Sequence, residues 1–393
     1  MNEIIIVGGG IHGTMMQLAL RKAGLDPVVI DPEPPLENWK RNTRNCGMRF
    51  LRSTSSHSLD LDFHGLRRFA REHGYGKSHF IAPYLRPSLE LFNAHADYLL
   101  ESYDLGDRVT DSIAGIRKEA RGYRLIGARG EYTAKRVILS IGTPPPVTPW
   151  EECGDRGLHV FDRRFDPNRI EREESVGIVG TGVTGGQLSV ELARRGVREV
   201  TLIDLHEPRH ADYDGNPCYI GPRCGVDFAA IPDAAARREV IRRERYPGTL
   251  PRDIYAEVDE LRSVGRLRFE LGKVDRIRPV GASVEATVCG DQVRTLSFDR
   301  VVATTGFAAV PPAPTVVADT AKRYGLERGP LGYPYPAEDL QWMDGLFVAG
   351  SLGELRIGPA ARNVIGGHLA LRRILPALDL PVSTETTGAR ADG

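Results

Sequence analysis

Two stretches of the chain place glycines where a backbone can meet a phosphate: "VGGGIHG" at residues 7–13 and "VGTGVTGG" at residues 179–186. In each, three glycines fall at GxGxxG spacing. They are Gly8, Gly10 and Gly13 in the first and Gly180, Gly182 and Gly185 in the second, with Thr184 inside the second turn. A turn of this spacing that opens a helix lets the backbone approach a pyrophosphate, and the helix start offers unpaired N–H groups and a positive dipole end. An acid closes each motif, Asp31 after the first and Asp204 after the second. A carboxylate there accepts hydrogen bonds from the hydroxyls of a ribose.

The elements that must hold these groups repeat in order. "EIIIV" reads as a strand buried on both faces, a helix follows from about 14 to 23, Gly24 stops it, and "DPVVID" is the next strand, ending at Asp31. Around residue 176 the plan returns as "SVGIVG", "QLSVELARR", Gly196 and "REVTLID". Three glycines recur at one offset of 172 (8 to 180, 13 to 185, 24 to 196), and Asp31 recurs as Asp204 with a slip of one. The fold class expected is α/β with two Rossmann-like dinucleotide-binding domains. Two such units imply two dinucleotides, and FAD with a nicotinamide cofactor is the pair between which a hydride can usefully pass. The strand-turn stretches "ILSIGTPPPVTPW", containing Gly142, and "VVATTGFAAVPPAP" read as crossings between the domains. The expected division is an FAD domain from 1–168 plus 292–393 and an NAD(P)H domain from 169–291, with an insertion at about 207–262.

Composition narrows the partners. Lys plus Arg and Asp plus Glu both number 52, and the arginines are scattered among acids, so nucleic acid is not expected. No apolar run is long enough for a membrane span or a signal peptide, which suggests a soluble cytoplasmic protein. Five cysteines, at 46, 153, 218, 224 and 289, show no metal-ligand spacing, so no metal site is expected. Free thiols are the default, and Cys218 and Cys224 are close enough in sequence to form a loop disulfide if the chain turns there. His57, His64 and His73 are expected at solvated positions, and the last 15 or so residues as a disordered tail.

The chain resembles two-dinucleotide flavoproteins, and among them the flavin-dependent monooxygenases nearest to the lysine and ornithine N-hydroxylases. The resemblance rests on the two glycine turns, "ATTGF" at 303–307, "NWKRNTRNCGMRFLRSTSS", the stretch from "GNPCYIG" to "YPGTLPRDIYAEV", and the closing "GLFVAGSLGELRIGPAARNVIGGHLALRRI". It implies that the first turn holds FAD and the second NADH or NADPH. Trp39, Met48, Arg49 and Leu51 would line the flavin, with Gly350 and Asn363 from the closing segment beside it. Arg52 stands where that family has a lysine and is a candidate for shaping the flavin's surroundings. The implied reaction is hydroxylation of a small, amine-bearing substrate by O2 through a flavin C4a-hydroperoxide. "YPGTLP" replaces the family's Asn-Thr-Asn-Tyr stretch, so the substrate itself does not carry over.

Two alternatives remain open at this level. Cys46, in "NCGM", resembles the redox cysteine of flavin-dependent NADH oxidases and peroxidases, where a thiolate beside the flavin cycles through sulfenic acid. A reductase passing electrons to an external acceptor fits the same cofactors. Asp204 suits the free ribose hydroxyls of NADH, although His206, Arg209 and His210 follow it and offer partners to the extra phosphate of NADPH. NADH is therefore favoured. The other partners expected are a small molecule and O2, with room for a homo-oligomer.

Overall fold

The structure, a computed structural model, describes residues 1–150 and 153–381. The run of β-branched residues at the N-terminus forms β1 (Asn2–Val7), with Ile4, Ile5 and Ile6 fully buried, as a central parallel strand requires. It leads through the first turn into α1 (Ile11–Lys22), then Gly24 at φ +82° and β2 (Val28–Ile30). β1 lies between β2 and the strand Glu131–Leu139, parallel to both, and Leu346–Val348 extends the sheet beyond Glu131–Leu139.

The second unit builds an all-parallel sheet in the order Arg268–Leu271, Glu199–Asp204, Ser175–Val179, Arg300–Ala303. Its helix, Val183–Arg195, ends on Gly196 in the left-handed region at φ +84°. Two Rossmann-like units are thus present. Their limits differ from the expected ones. Arg300–Ala303 pairs with Ser175–Val179, so the second unit runs past 292, and Leu158, Val160 and Phe165 belong to its core, so it starts before 169. The cause is pairing across the sequence, since Val160 N–H donates to Ala303 and Ala303 N–H to Leu158. The two crossings run side by side, with Pro146 opposite Phe307 and Val147 N–H donating to Gly306.

Within the expected insertion stand the helices Pro222–Ala229, Ala234–Glu244 and Arg252–Ser263. Cys218 and Cys224 form a disulfide there, with Cα atoms 5.5 Å apart, which corrects the expectation of free thiols. The chain turns back through Pro217–Ile220, where Asn216 Oδ1 accepts from Cys218 N–H, and this turn brings the two residues together. Arg237 pins the insertion to the first unit. It is 2% exposed and donates to the carbonyls of Ala229, Ile231 and Leu355. The "VSTETTGARADG" tail, from residue 382 on, lies outside the described residues. Among the described residues no helix is long and apolar enough to cross a membrane, and no group of three or more His, Cys, Asp or Glu is placed to hold a metal.

Candidate active site

The two glycine turns divide their glycines by function. Gly8 has φ +100°, and a Cβ there would stand 2.2 Å from the Ser140 carbonyl oxygen; a Cβ on Gly13 would stand 1.8 Å from the Gly8 carbonyl oxygen. In the second turn Gly180 has φ +114°, and a Cβ on Gly185 would come within 1.9 Å of the Gly180 oxygen. These four are required by the protein's own packing. The middle glycines are not. A Cβ on Gly10 would meet nothing within 4 Å, and one on Gly182 nothing nearer than Gly248 Cα at 3.7 Å. Gly10 and Gly182 are thus free of side-chain bulk on a face that packing leaves open, at the start of a helix, which is the cradle a pyrophosphate needs. Thr184 sits in the first turn of the second helix.

Each acid is tied to its own turn. Asp31 Oδ2 accepts from Gly9 N–H at 2.6 Å, and Asp204 Oδ2 accepts from both Thr181 N–H and Thr181 Oγ1–H at 2.6 Å. Both carboxylates are therefore fixed beside the glycines they serve.

The residues expected at the far end of the first nucleotide meet around His12. Its Nε2 lies 2.7 Å from the Asn363 carbonyl oxygen, so Nε2 carries the proton and donates. Burial pushes the imidazole below its ordinary pKa, which keeps it neutral. Its Nδ1 edge faces Gly350, where a Cβ would come within 2.8 Å. Asn363 also starts the helix Val364–Ala377, without a side-chain cap, and its Nδ2 donates to Asp214 at 3.1 Å. Ser351 Oγ donates to the carbonyl of Gly142, which has φ +80° and open space at its Cα. Gly142, Gly350, His12 and Asn363 thus gather beyond the first turn.

The stretch 39–52 makes contacts within the first unit and across to the second. Trp39 donates from Nε1 to Asn93 and packs on Phe92, ring centroids 5.3 Å apart. Met48 packs against the cores of both units, and Leu51 is buried in the first. Arg49 pairs with Glu257, which Arg194 also engages at 2.8 Å. Arg52 donates to the carbonyls of Ala211, Asp212, Tyr213 and Thr249 and to Thr249 Oγ1. Burial lowers its pKa to about 10, with Asp214 opposing, so it stays charged. With its donors spent on the opposite unit's backbone, Arg52 is a latch between units rather than a group aimed at reacting atoms. Cys46 is 3% exposed and within the second unit's core, its Sγ 3.5 Å from Gln187 Oε1. Burial pushes its thiol up to about 12. A protonated, enclosed thiol does not suit sulfenic-acid cycling, which needs an accessible thiolate. His57 also departs from expectation: it is buried, and burial lowers its pKa to about 4.

Two groups at this site, Asp214 and Arg108, had no sequence signal, whereas His12 stands within the first glycine turn and was open to a flavin-facing role. Asp214 and His12 meet Asn363 only through the fold, and Arg108 reaches the first turn from a loop, donating to the Gly9 and Glu33 carbonyls, both at 3.4 Å.

The model of the pyridine nucleotide-disulphide oxidoreductase family matches residues 5–228, more than half of the chain. The chain belongs to that family. It is an oxidoreductase with the two-domain architecture of flavoenzymes. No curated protein matches it. Among solved structures it is similar to DfoA, the cadaverine monooxygenase of desferrioxamine biosynthesis from Erwinia amylovora, determined with FAD. The identity is 15%, the TM-score 0.76, and all of both chains is covered. It is similar as well to the ornithine N-hydroxylase KtzI from Kutzneria sp. 744, with 16% identity, TM-score 0.75, and 96% of this chain and 99% of that one covered. The bacillithiol disulfide reductase of Bacillus cereus aligns at TM-score 0.60 with 16% identity, over 94% of this chain and 99% of that one. The expected resemblance to flavin monooxygenases, N-hydroxylases included, is borne out.

Proposed function

We propose that the protein is an FAD-dependent NAD(P)H monooxygenase that hydroxylates a small, amine-bearing substrate. The observation that carries this reading is the pair of turns whose middle glycines, Gly10 and Gly182, open onto space while their neighbours are packed tight. The residues fit two dinucleotides: Gly8, Gly10, Gly13 and Asp31 for FAD, and Gly180, Gly182, Thr184, Gly185 and Asp204 for the nicotinamide donor. FAD, when bound, supplies hydride acceptance and oxygen activation. The chain's own part is to hold, orient and exclude water. His12, neutral and half-buried, fixes Asn363 at the start of an uncapped helix. Asp214, bonded to Asn363 and paired with Arg245 at 3.5 Å, ties that helix start to the insertion.

Oxygen insertion is preferred to thiol chemistry because Cys46 is shut away and protonated. The names of DfoA and the Kutzneria enzyme, which act on cadaverine and ornithine, support an amine. We infer NADH as the donor, since Asp204 faces its turn as a carboxylate and repels a 2′-phosphate. The test measures NADH and NADPH consumption, peroxide release and hydroxylated product against a panel of diamines and basic amino acids. One product per NADH with little peroxide supports the reading. Peroxide equal to NADH consumed, with no product from any amine, overturns it in favour of an oxidase.

A further inference from the structure

Arg108 carries chemistry that the protein's own contacts leave unused. It lies in the segment that runs alongside β2, where Val109 sits opposite Ile30 and exchanges backbone hydrogen bonds with Val29 and Asp31. From there its side chain reaches the first glycine turn. Nη1 would stand 2.1 Å from a Cβ on Gly9, so the guanidinium lies directly against that glycine. Nη1 makes two long contacts, to the carbonyls of Gly9 and Glu33 at 3.4 Å. Nε and Nη2 are closed off from solvent and have no hydrogen-bond partner among the described residues. Two buried, charged N–H groups without acceptors are costly to keep, so such groups point to a partner of complementary chemistry. Burial lowers the pKa of this guanidinium while Asp31 opposes the shift, and the group stays cationic.

The second unit provides the internal comparison. Ile30 corresponds to Ile203, and Ile203 sits opposite Glu270 in the neighbouring strand as Ile30 sits opposite Val109. The residue before Glu270, in the place of Arg108, is Phe269. The two turns share glycines and an acid, but the strand position that carries Arg108 at the first carries Phe269 at the second.

We propose that Arg108 is an anchor for the ADP half of the flavin dinucleotide, its Nε–H and Nη2–H donating to pyrophosphate or ribose oxygens at the first turn. The inference rests on the reading that this turn holds FAD. Arg108 makes the first site the one that keeps its ligand through turnover. The second site, with Phe269 at that place, suits a donor that must arrive and leave.

The test uses the full-length chain as Arg108→Gln and Arg108→Lys. FAD affinity is read from the fluorescence of released flavin at equilibrium, ADP affinity by calorimetry on flavin-depleted protein, and the unfolding midpoint with and without FAD. Two charge-assisted hydrogen bonds predict FAD binding weaker by roughly 100- to 10,000-fold in Arg108→Gln, with a smaller loss in Arg108→Lys. ADP should lose affinity by a similar factor, and the flavin-depleted midpoint should stay level or rise. Unchanged FAD and ADP affinity in Arg108→Gln overturns the proposal. So does an equal fall of the midpoint with and without FAD, which would make Arg108 a brace for the Gly9 and Glu33 carbonyls. If the wild-type chain binds ADP but no FAD, or binds neither, the reading of the first turn itself fails.

Discussion

Replacing Gly10 with valine separates a ligand effect from a folding effect, because the structure gives opposite answers for neighbouring glycines. Gly10 has φ −75° and ψ −165°, extended backbone that valine adopts readily, and its Cβ would meet no atom within 4 Å. The folded chain should therefore change in stability by no more than about 0.5 kcal/mol. The dinucleotide has no such freedom, because the valine methyls would occupy the space into which the pyrophosphate settles. Loss of two charge-assisted hydrogen bonds at about 1.5–3 kcal/mol each weakens FAD binding by roughly 100- to 10,000-fold. Gly13→Val is the contrast. Its Cβ would stand 1.8 Å from the Gly8 carbonyl oxygen and 2.9 Å from the Gly8 carbonyl carbon, both backbone atoms, so the fold itself should lose about 3 kcal/mol or more. The assay is the flavin-to-protein ratio from absorbance together with the urea midpoint of each variant. Gly10→Val should be colourless with a wild-type midpoint in flavin-free form, and Gly13→Val should be unstable. Yellow Gly10→Val protein with wild-type FAD affinity would refute the assignment.

Gly182→Val should keep FAD, since its Cβ would meet only Gly248 at 3.7 Å, while the KM for NADH rises by roughly 100-fold; stopped-flow reduction measures it. Cys46→Ser should leave NADH oxidation within about twofold while lowering stability by about 1–2 kcal/mol, because a hydroxyl replaces a thiol buried in the second core. Acid should destabilise the fold through His57 and His159, which burial lowers to about 4. Their folded pKa values lie below the unfolded value, so the stability they contribute is full above pH of about 6.5 and is lost as pH falls toward 4. Each contributes at most about 3 kcal/mol, and urea titrations at pH 7.5, 6 and 5 would show the decline, flattened in His57→Gln.

The parts of the site legible in the sequence are those fixed by local backbone geometry. Gly8 and Gly180 must take positive φ, and Gly13 and Gly185 must clear a carbonyl within their own turn, so spacing alone reveals them. What the sequence hides depends on partners far along the chain. Arg52 looked like a flavin neighbour, but its acceptors lie 159 to 197 residues away in the other unit. Cys46 left a redox thiol and a buried bystander both open in the sequence, and Gln187 and the second core enclose it. The strand Arg300–Ala303 joins the second sheet through pairing with Ser175–Val179, which no local pattern announces. Arg108 carries no motif at all, and only its unpaired donors mark it.

The central claim is that reduced flavin in this protein activates oxygen for insertion rather than discarding it as peroxide. The most direct measurement is anaerobic reduction of the yellow protein by NADH in a stopped-flow instrument, followed by mixing with O2 while the flavin spectrum is recorded, with and without amine. The account predicts a species that persists between the reduced and oxidised spectra and decays to oxidised flavin with one hydroxylated product when the amine is present. Immediate return to oxidised flavin with stoichiometric peroxide, under both conditions, would contradict it.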